Sequence, residues 1–111
     1  MAPPIMRGDR LGEFEELTLL AIRALDPPAY AVPIQRFIAE ATGRDLVMGA
    51  VYASLDRLEQ KGLVRSTLGE ATQERGGKRK RLFVVTAEGA RRLKEVRRVR
   101  ERIWRAIEAK R

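Results

Sequence analysis

The 111 residues include 23 Lys and Arg against 15 Asp and Glu, a formal net charge of +8, and 44% are hydrophobic. That length holds one domain with a modest core, and the absence of His and Cys excludes an imidazole base, a thiolate nucleophile, a disulfide and the soft metal ligands. A non-enzymatic, metal-free and cofactor-free cytoplasmic protein is expected, since Met1-Ala2-Pro3-Pro4 lacks a signal peptide's layout and the apolar run near Leu17 to Ile22 is too short for a bilayer.

The first element is a helix over about Leu11 to Leu25. Phe14, Leu17, Ala21 and Leu25 recur on one face, widened by Leu20 and Ile22. Glu13, Glu15 and Glu16 suit its positive end, and Asp26-Pro27-Pro28 stops it. A second helix, about Val32 to Thr42, presents Ile34, Phe37, Ile38 and Ala41, with Pro33 in its first turn and Gly43 as its stop. Tyr30 precedes it as an entry staple or a core residue.

The third helix spans about Val47 to Lys61 and ends at Gly62. Val51, Leu55 and Leu58 make a narrow apolar stripe, edged by Val47 and Met48. Gly49, Ala53, Asp56 and Gln60 fall opposite, with Tyr52 and Arg57 on the flanks. A short helix with a slim buried stripe and a small outer face can insert into another surface.

After Gly62 the hydrophobic period changes to two. Leu63 to Leu68 and Arg81 to Thr86 read as strands, joined by a long loop through Gly69 to Lys80 that is nearly free of apolar residues. Thr86 is a good N-cap for a fourth helix reaching about Ala109, roughly 35 Å long. Leu93, Val96, Val99, Ile103, Trp104 and Ile107 line one side of it. Its distal half has little of its own chain to pack on, so this stripe calls for a second copy. Glu88 and Glu95 are placed to pair with neighbouring bases such as Arg91 and Arg92.

Charge is unevenly distributed. Residues 1–43 hold four Arg against six acids, whereas residues 44–111 hold nineteen bases against nine acids. Arg75-Gly76-Gly77-Lys78-Arg79-Lys80-Arg81 carries five bases and no acid, a density suited to phosphate contact, although a solvated loop has the same composition. Strand alternation would turn Arg79 and Arg81 one way and Lys78 and Lys80 the other.

Helix, helix, helix, strand, basic loop, strand is the order of a winged helix-turn-helix. The expected fold class is therefore mainly α with a two-stranded β-wing (α+β), followed by a long C-terminal helix. Residues 1–10 would be a flexible arm, 11–86 a DNA-binding domain and 87–111 a dimerisation helix. Met48, Gly49, Tyr52 and Ala53 are the candidates to face a groove. Ala53 suits a thymine methyl, and Tyr52 either donates to a phosphate or packs against the second helix. Arg57 fits a phosphate contact or a local ion pair. Arg75, Lys78, Arg79, Lys80 and Arg81 are the candidate wing contacts.

The sequence also resembles the PadR family of bacterial transcriptional regulators. The resemblance rests on Leu11-Gly12-Glu13-Phe14-Glu15, the run Gly49-Ala50-Val51-Tyr52 through Leu58-Glu59, Lys61-Gly62-Leu63-Val64, and the Arg-Gly-Gly-basic run leading into Phe83-Val84-Val85-Thr86. It implies a homodimeric repressor on a palindromic operator in double-stranded DNA. The chain's length resembles the short members, which bind flat aromatic effectors between subunits on a Trp of the last helix. Trp104 could take that part, or could simply pack in the interface. Val47 stands where such proteins carry a capping Ser or Thr, so either Asp45 caps in its place or the helix starts less firmly. Two other functions use the same charges: a non-specific RNA- or ribosome-associated protein, and a winged-helix protein-interaction module.

Overall fold

The computed structural model describes residues 10–71 and 79–110. Its elements are α1 (Glu13–Ala24), α2 (Ala31–Thr42), α3 (Met48–Gln60), β1 (Val64–Ala71), β2 (Arg79–Val85) and α4 (Ala87–Glu108). The order and class are those expected: four helices and one antiparallel two-stranded sheet. Both strands run further toward the loop than their apolar alternation suggests, with a register irregularity between Leu68 and Ala71. Backbone pairing needs no apolar side chain, so the periodicity ends before the ladder does. The arm expected over residues 1–10 lies outside the described residues, except for Arg10.

Three helices and the base of the sheet enclose the core. Leu19, Ile22, Ile34, Val51, Leu55, Leu58 and Phe83 are fully buried. The inward face of α1 is centred on Thr18, Leu19 and Ile22, while Phe14, Leu17 and Leu25 are only partly buried against it. Leu20, expected to widen the core face, is 45% exposed. On α2 only Ile34 and Ile38 of the expected face are buried; Phe37 and Ala41 are exposed. A helix at the edge of a three-helix contact buries one i, i+4 seam, narrower than its full apolar face.

Polar groups inside are satisfied. Thr18 Oγ1 and Ser54 Oγ are 2.9 Å apart, linking α1 to α3, and Thr18 also donates to the Phe14 carbonyl at 2.7 Å. Lys61 Nζ lies 2.7 Å from Glu15 Oε2, with both side chains largely covered, and it also donates to the Arg10 carbonyl at 2.6 Å. These bonds tie the start of α1 to the end of α3. The cap of α3 is Val47 itself, not Asp45, and it contributes no side-chain hydrogen bond. Gly43 and Gly62 take positive φ, 69° and 74°, at the ends of α2 and α3, which is glycine's role there.

α4 is docked by its first half. Thr86 Oγ1 accepts from the Gly89 amide at 3.1 Å, and the Thr86 hydroxyl donates to the Gly62 carbonyl at 2.8 Å. Gly89 meets the body so closely that a Cβ there would stand 2.3 Å from the Leu63 carbonyl oxygen and 2.7 Å from Val85 Cγ1. Leu93 packs against the core. Further along, Arg100 donates to Glu16 on α1 at 2.7 Å and 3.3 Å. That hydrogen bond, then the Glu16 charge, holds the Arg100 guanidinium above its usual range. Beyond Arg100 the helix projects, and the described residues extend 59 Å along their longest axis. No helix of the described residues is long and apolar enough to cross a membrane.

Candidate nucleic-acid interface

The outer face of α3 is exposed along its length. Gly49, Ala50, Ala53, Asp56, Arg57 and Gln60 all lie on the surface, and Tyr52 is 45% exposed. A Cβ built on Gly49 meets nothing within 4 Å. Glycine costs a helix stability relative to alanine, and no neighbour among the described residues explains its presence here. Met48 departs from the expected set. It is partly buried and packs against the core, because it starts the same row as Val51 and Leu55.

β1 and β2 rise beside the end of α3. An Ala29–Phe83 bridge, with backbone bonds of 3.0 Å and 2.8 Å, adds the segment before α2 to the edge of β2. This addition puts Tyr30 next to the wing, where Lys80 Nζ sits 4.5 Å from its ring centre, a cation–π contact. A cleft of about 490 Å³ opens there, lined among others by Tyr30, Val32, Arg36, Tyr52, Lys80 and Arg81. Among the described residues no acidic side chain lines it. Arg36 and Tyr30 were not among the expected site residues. The helical period does turn Arg36 outward, but nothing in the sequence brings the α2 entrance beside the second strand.

The basic run divides. Arg75 and Lys78 lie outside the described residues, and Arg79 is described only as the first residue of β2. Lys80 faces the cleft. Arg81 does something else. Its Nη2 donates to Glu59 Oε1 at 2.6 Å and to Ser66 Oγ at 3.0 Å, and its Nη1 lies 3.6 Å from Asp56 Oδ1. Arg81 borders the same cleft as Lys80, but its guanidinium is turned toward α3.

A second exposed surface has the opposite chemistry. Val99, Ile103, Trp104 and Ile107 are 51%, 56%, 62% and 53% exposed along the projecting part of α4. Val96, Val99 and Ile103 line a groove of about 480 Å³ beside Leu11. Leu93, grouped with this stripe on periodicity, is partly buried and packs against the chain's own core, because α1 covers the first turns of α4. The polar side is knitted by Arg91 with Glu88 and Glu95, and by Arg97 with Glu101 at 2.8 Å. The hydrogen bond from Arg91 holds the Glu88 carboxyl below its ordinary value, against a smaller opposing effect of burial. Among the described residues no three acidic side chains converge as a metal site.

Known proteins share the arrangement. A family model described as "Transcriptional regulator PadR-like family" matches residues 19–95, more than half of the chain. A PadR-like transcription factor from Bacteroides fragilis superposes with a TM-score of 0.75 at 26% identity, over 90% of this chain and 91% of that one. A PadR family transcriptional regulator from Eggerthella lenta matches with a TM-score of 0.67 at 25% identity, over 87% and 84%. A PadR-like regulator from Bacillus cereus shares the fold at 17% identity, with a TM-score of 0.69 over 86% and 88%. No curated protein matches the chain.

Proposed function

The chain belongs to the PadR-like family of transcriptional regulators, and from that premise we propose that it is a homodimeric repressor reading an inverted-repeat operator in double-stranded DNA. The observation that carries this reading is the exposed first half of α3, where Gly49 has nothing within 4 Å of a built Cβ, beside a cleft that holds Arg36 and Lys80 and, among the described residues, no acid. A face that small admits close approach by a groove wall, and the flanking cations suit phosphates.

In this reading residues 11–86 bind DNA and residues 87–111 dimerise. Gly49 and Ala53 let the α3 backbone approach base edges, with Ala53 against a thymine methyl. Tyr52, Arg57, Arg36 and Lys80 contact the sugar–phosphate backbone, joined by Arg75, Lys78 and Arg79 of the wing. Val96, Val99, Ile103, Trp104 and Ile107 pair with the same residues of a second copy. A two-fold dimer presents two α3 helices and therefore demands two inverted half-sites. Occupying a promoter would exclude polymerase. Trp104, shared near the two-fold axis, would stack a flat aromatic effector.

Selection of duplexes from a random library with the full chain, followed by footprinting and sedimentation of the complex, tests the proposal. An inverted repeat bound by two chains is expected. A single asymmetric site bound by one chain, or indifference to duplex sequence, would overturn it. The Arg75→Ala/Lys78→Ala pair, present in both chains of the dimer, should reduce the slope of log affinity against log salt by about 3.6.

A further inference from the structure

We propose that Arg81 and Glu59 form a latch that sets the direction in which the wing leaves α3, so that Arg81 is a positioning residue for DNA binding and pairs its charge with this chain's own carboxylates. The inference rests on the duplex-DNA reading and deepens it.

Strand alternation puts Arg81 on the same face of β2 as Phe83, which is fully buried. From there the guanidinium stands 5.1 Å from the Phe83 ring centre and reaches Glu59 at 2.6 Å. Ser66 Oγ, on β1, donates to the other Glu59 oxygen at 2.7 Å and accepts from Arg81 at 3.0 Å. One side chain thereby joins both strands of the wing to the last turns of α3. The charges give the direction of the argument. A single guanidinium faces two carboxylates, Glu59 and Asp56, so the junction carries a net negative charge and offers a phosphate little attraction.

The wing needs such a tie. A two-stranded hairpin is marginal by itself, and its apolar anchors, Val64 and Phe83, lie at its base. Leu68, level with Arg81 in the ladder, is 59% exposed, so apolar packing has ended at that height. A hairpin lengthens its lever by about 3.3 Å per residue, and a tilt at the level of the latch grows along the strands. Exposed ion pairs add little to overall stability, so the latch should show in DNA binding and leave the melting temperature nearly unchanged.

The full chain and its Glu59→Gln, Arg81→Ala, Arg81→Lys and doubly substituted Glu59→Gln/Arg81→Ala variants would be titrated, over a range of salt, against a labelled duplex selected by the wild type. Glu59→Gln is expected to weaken binding about tenfold, although it removes a negative charge near a polyanion, with the salt slope unchanged. Arg81→Ala should lose as much, the double variant no more than either single, and Arg81→Lys should recover part of the loss. Tighter binding by Glu59→Gln, or a slope reduced by about 1.8 in Arg81→Ala (one contact in each chain of the dimer), would make Arg81 a phosphate ligand and overturn the latch. Additive losses, or a melting temperature collapsed by Glu59→Gln, would overturn it too. If the wild type ignores every duplex, the functional reading falls and takes the latch with it; wild-type binding with unmoved variants removes the latch alone.

Discussion

Two glycines contrast the two halves of the molecule. Gly89, at the start of α4, is closed in by this chain: a Cβ would collide with the Leu63 carbonyl and Val85. Gly49, at the start of α3, faces open space. The first is explained by packing within one polypeptide; the second has no such contact among the described residues, and the proposed DNA reading gives it a use. The same division runs along α4, where Leu93 is packed on the core but Ile103, Trp104 and Ile107 stand exposed. The body completes its burial alone, while its two outer surfaces, one small and cationic and one apolar, are each suited to a different partner.

The largest expected effect breaks the apolar surface. Ile103→Asp, counted twice in a symmetric dimer, should cost about 4 kcal/mol of association from lost burial at about 2 kcal/mol per side chain. That raises the dimer dissociation constant roughly a thousandfold, measurable by analytical ultracentrifugation, with the monomer still helical by circular dichroism. A wild type that remains monomeric at all concentrations would remove the interface from the reading.

Gly89→Ala should destabilise the fold by about 2 kcal/mol through overpacking against a rigid carbonyl, read as a lower midpoint in urea. Gly49→Ala should do the reverse, adding a few tenths of a kcal/mol of helix stability while weakening affinity for a selected duplex about tenfold, or about 1.4 kcal/mol. Opposite signs for stability and binding at that position would sharpen the contrast; a stabilised variant with undiminished binding would dissolve it.

The smallest effect lies at the start of α4. Glu88 has its carboxyl pKa depressed in the folded chain, chiefly by the hydrogen bond from Arg91. A depressed acid stabilises the folded state fully above its unfolded pKa and loses that contribution as pH falls through the folded value. Glu88→Gln should therefore flatten the acid side of the helix's pH profile slightly, detectable by amide exchange in the first turns of α4. An unchanged profile would assign that sensitivity to other carboxylates.

Much of the molecule was legible before its structure. Local signals sufficed for the element order, for Thr86 as a cap, for Gly43 and Gly62 as helix stops, and for the outward set Gly49, Ala53, Asp56 and Gln60. Each depends on residues within a turn or two of one another. Several readings that shifted involved distant partners. Met48 and Leu93, expected at outer surfaces, are partly buried against the core. Arg81 looked like one base among five until Glu59, Asp56 and Ser66 were brought to it.

By itself the amino-acid order determined the type and succession of the helices and strands, and that positive charge gathers in the second half, because those properties follow from spacing along a single segment. The tertiary structure decided the Glu15–Lys61 and Thr18–Ser54 ties, the meeting of Tyr30 with Lys80, and which bases remain turned outward. These contacts join residues far apart in the chain, and they exist only once three helices have closed on the base of the hairpin and fixed the angle between them.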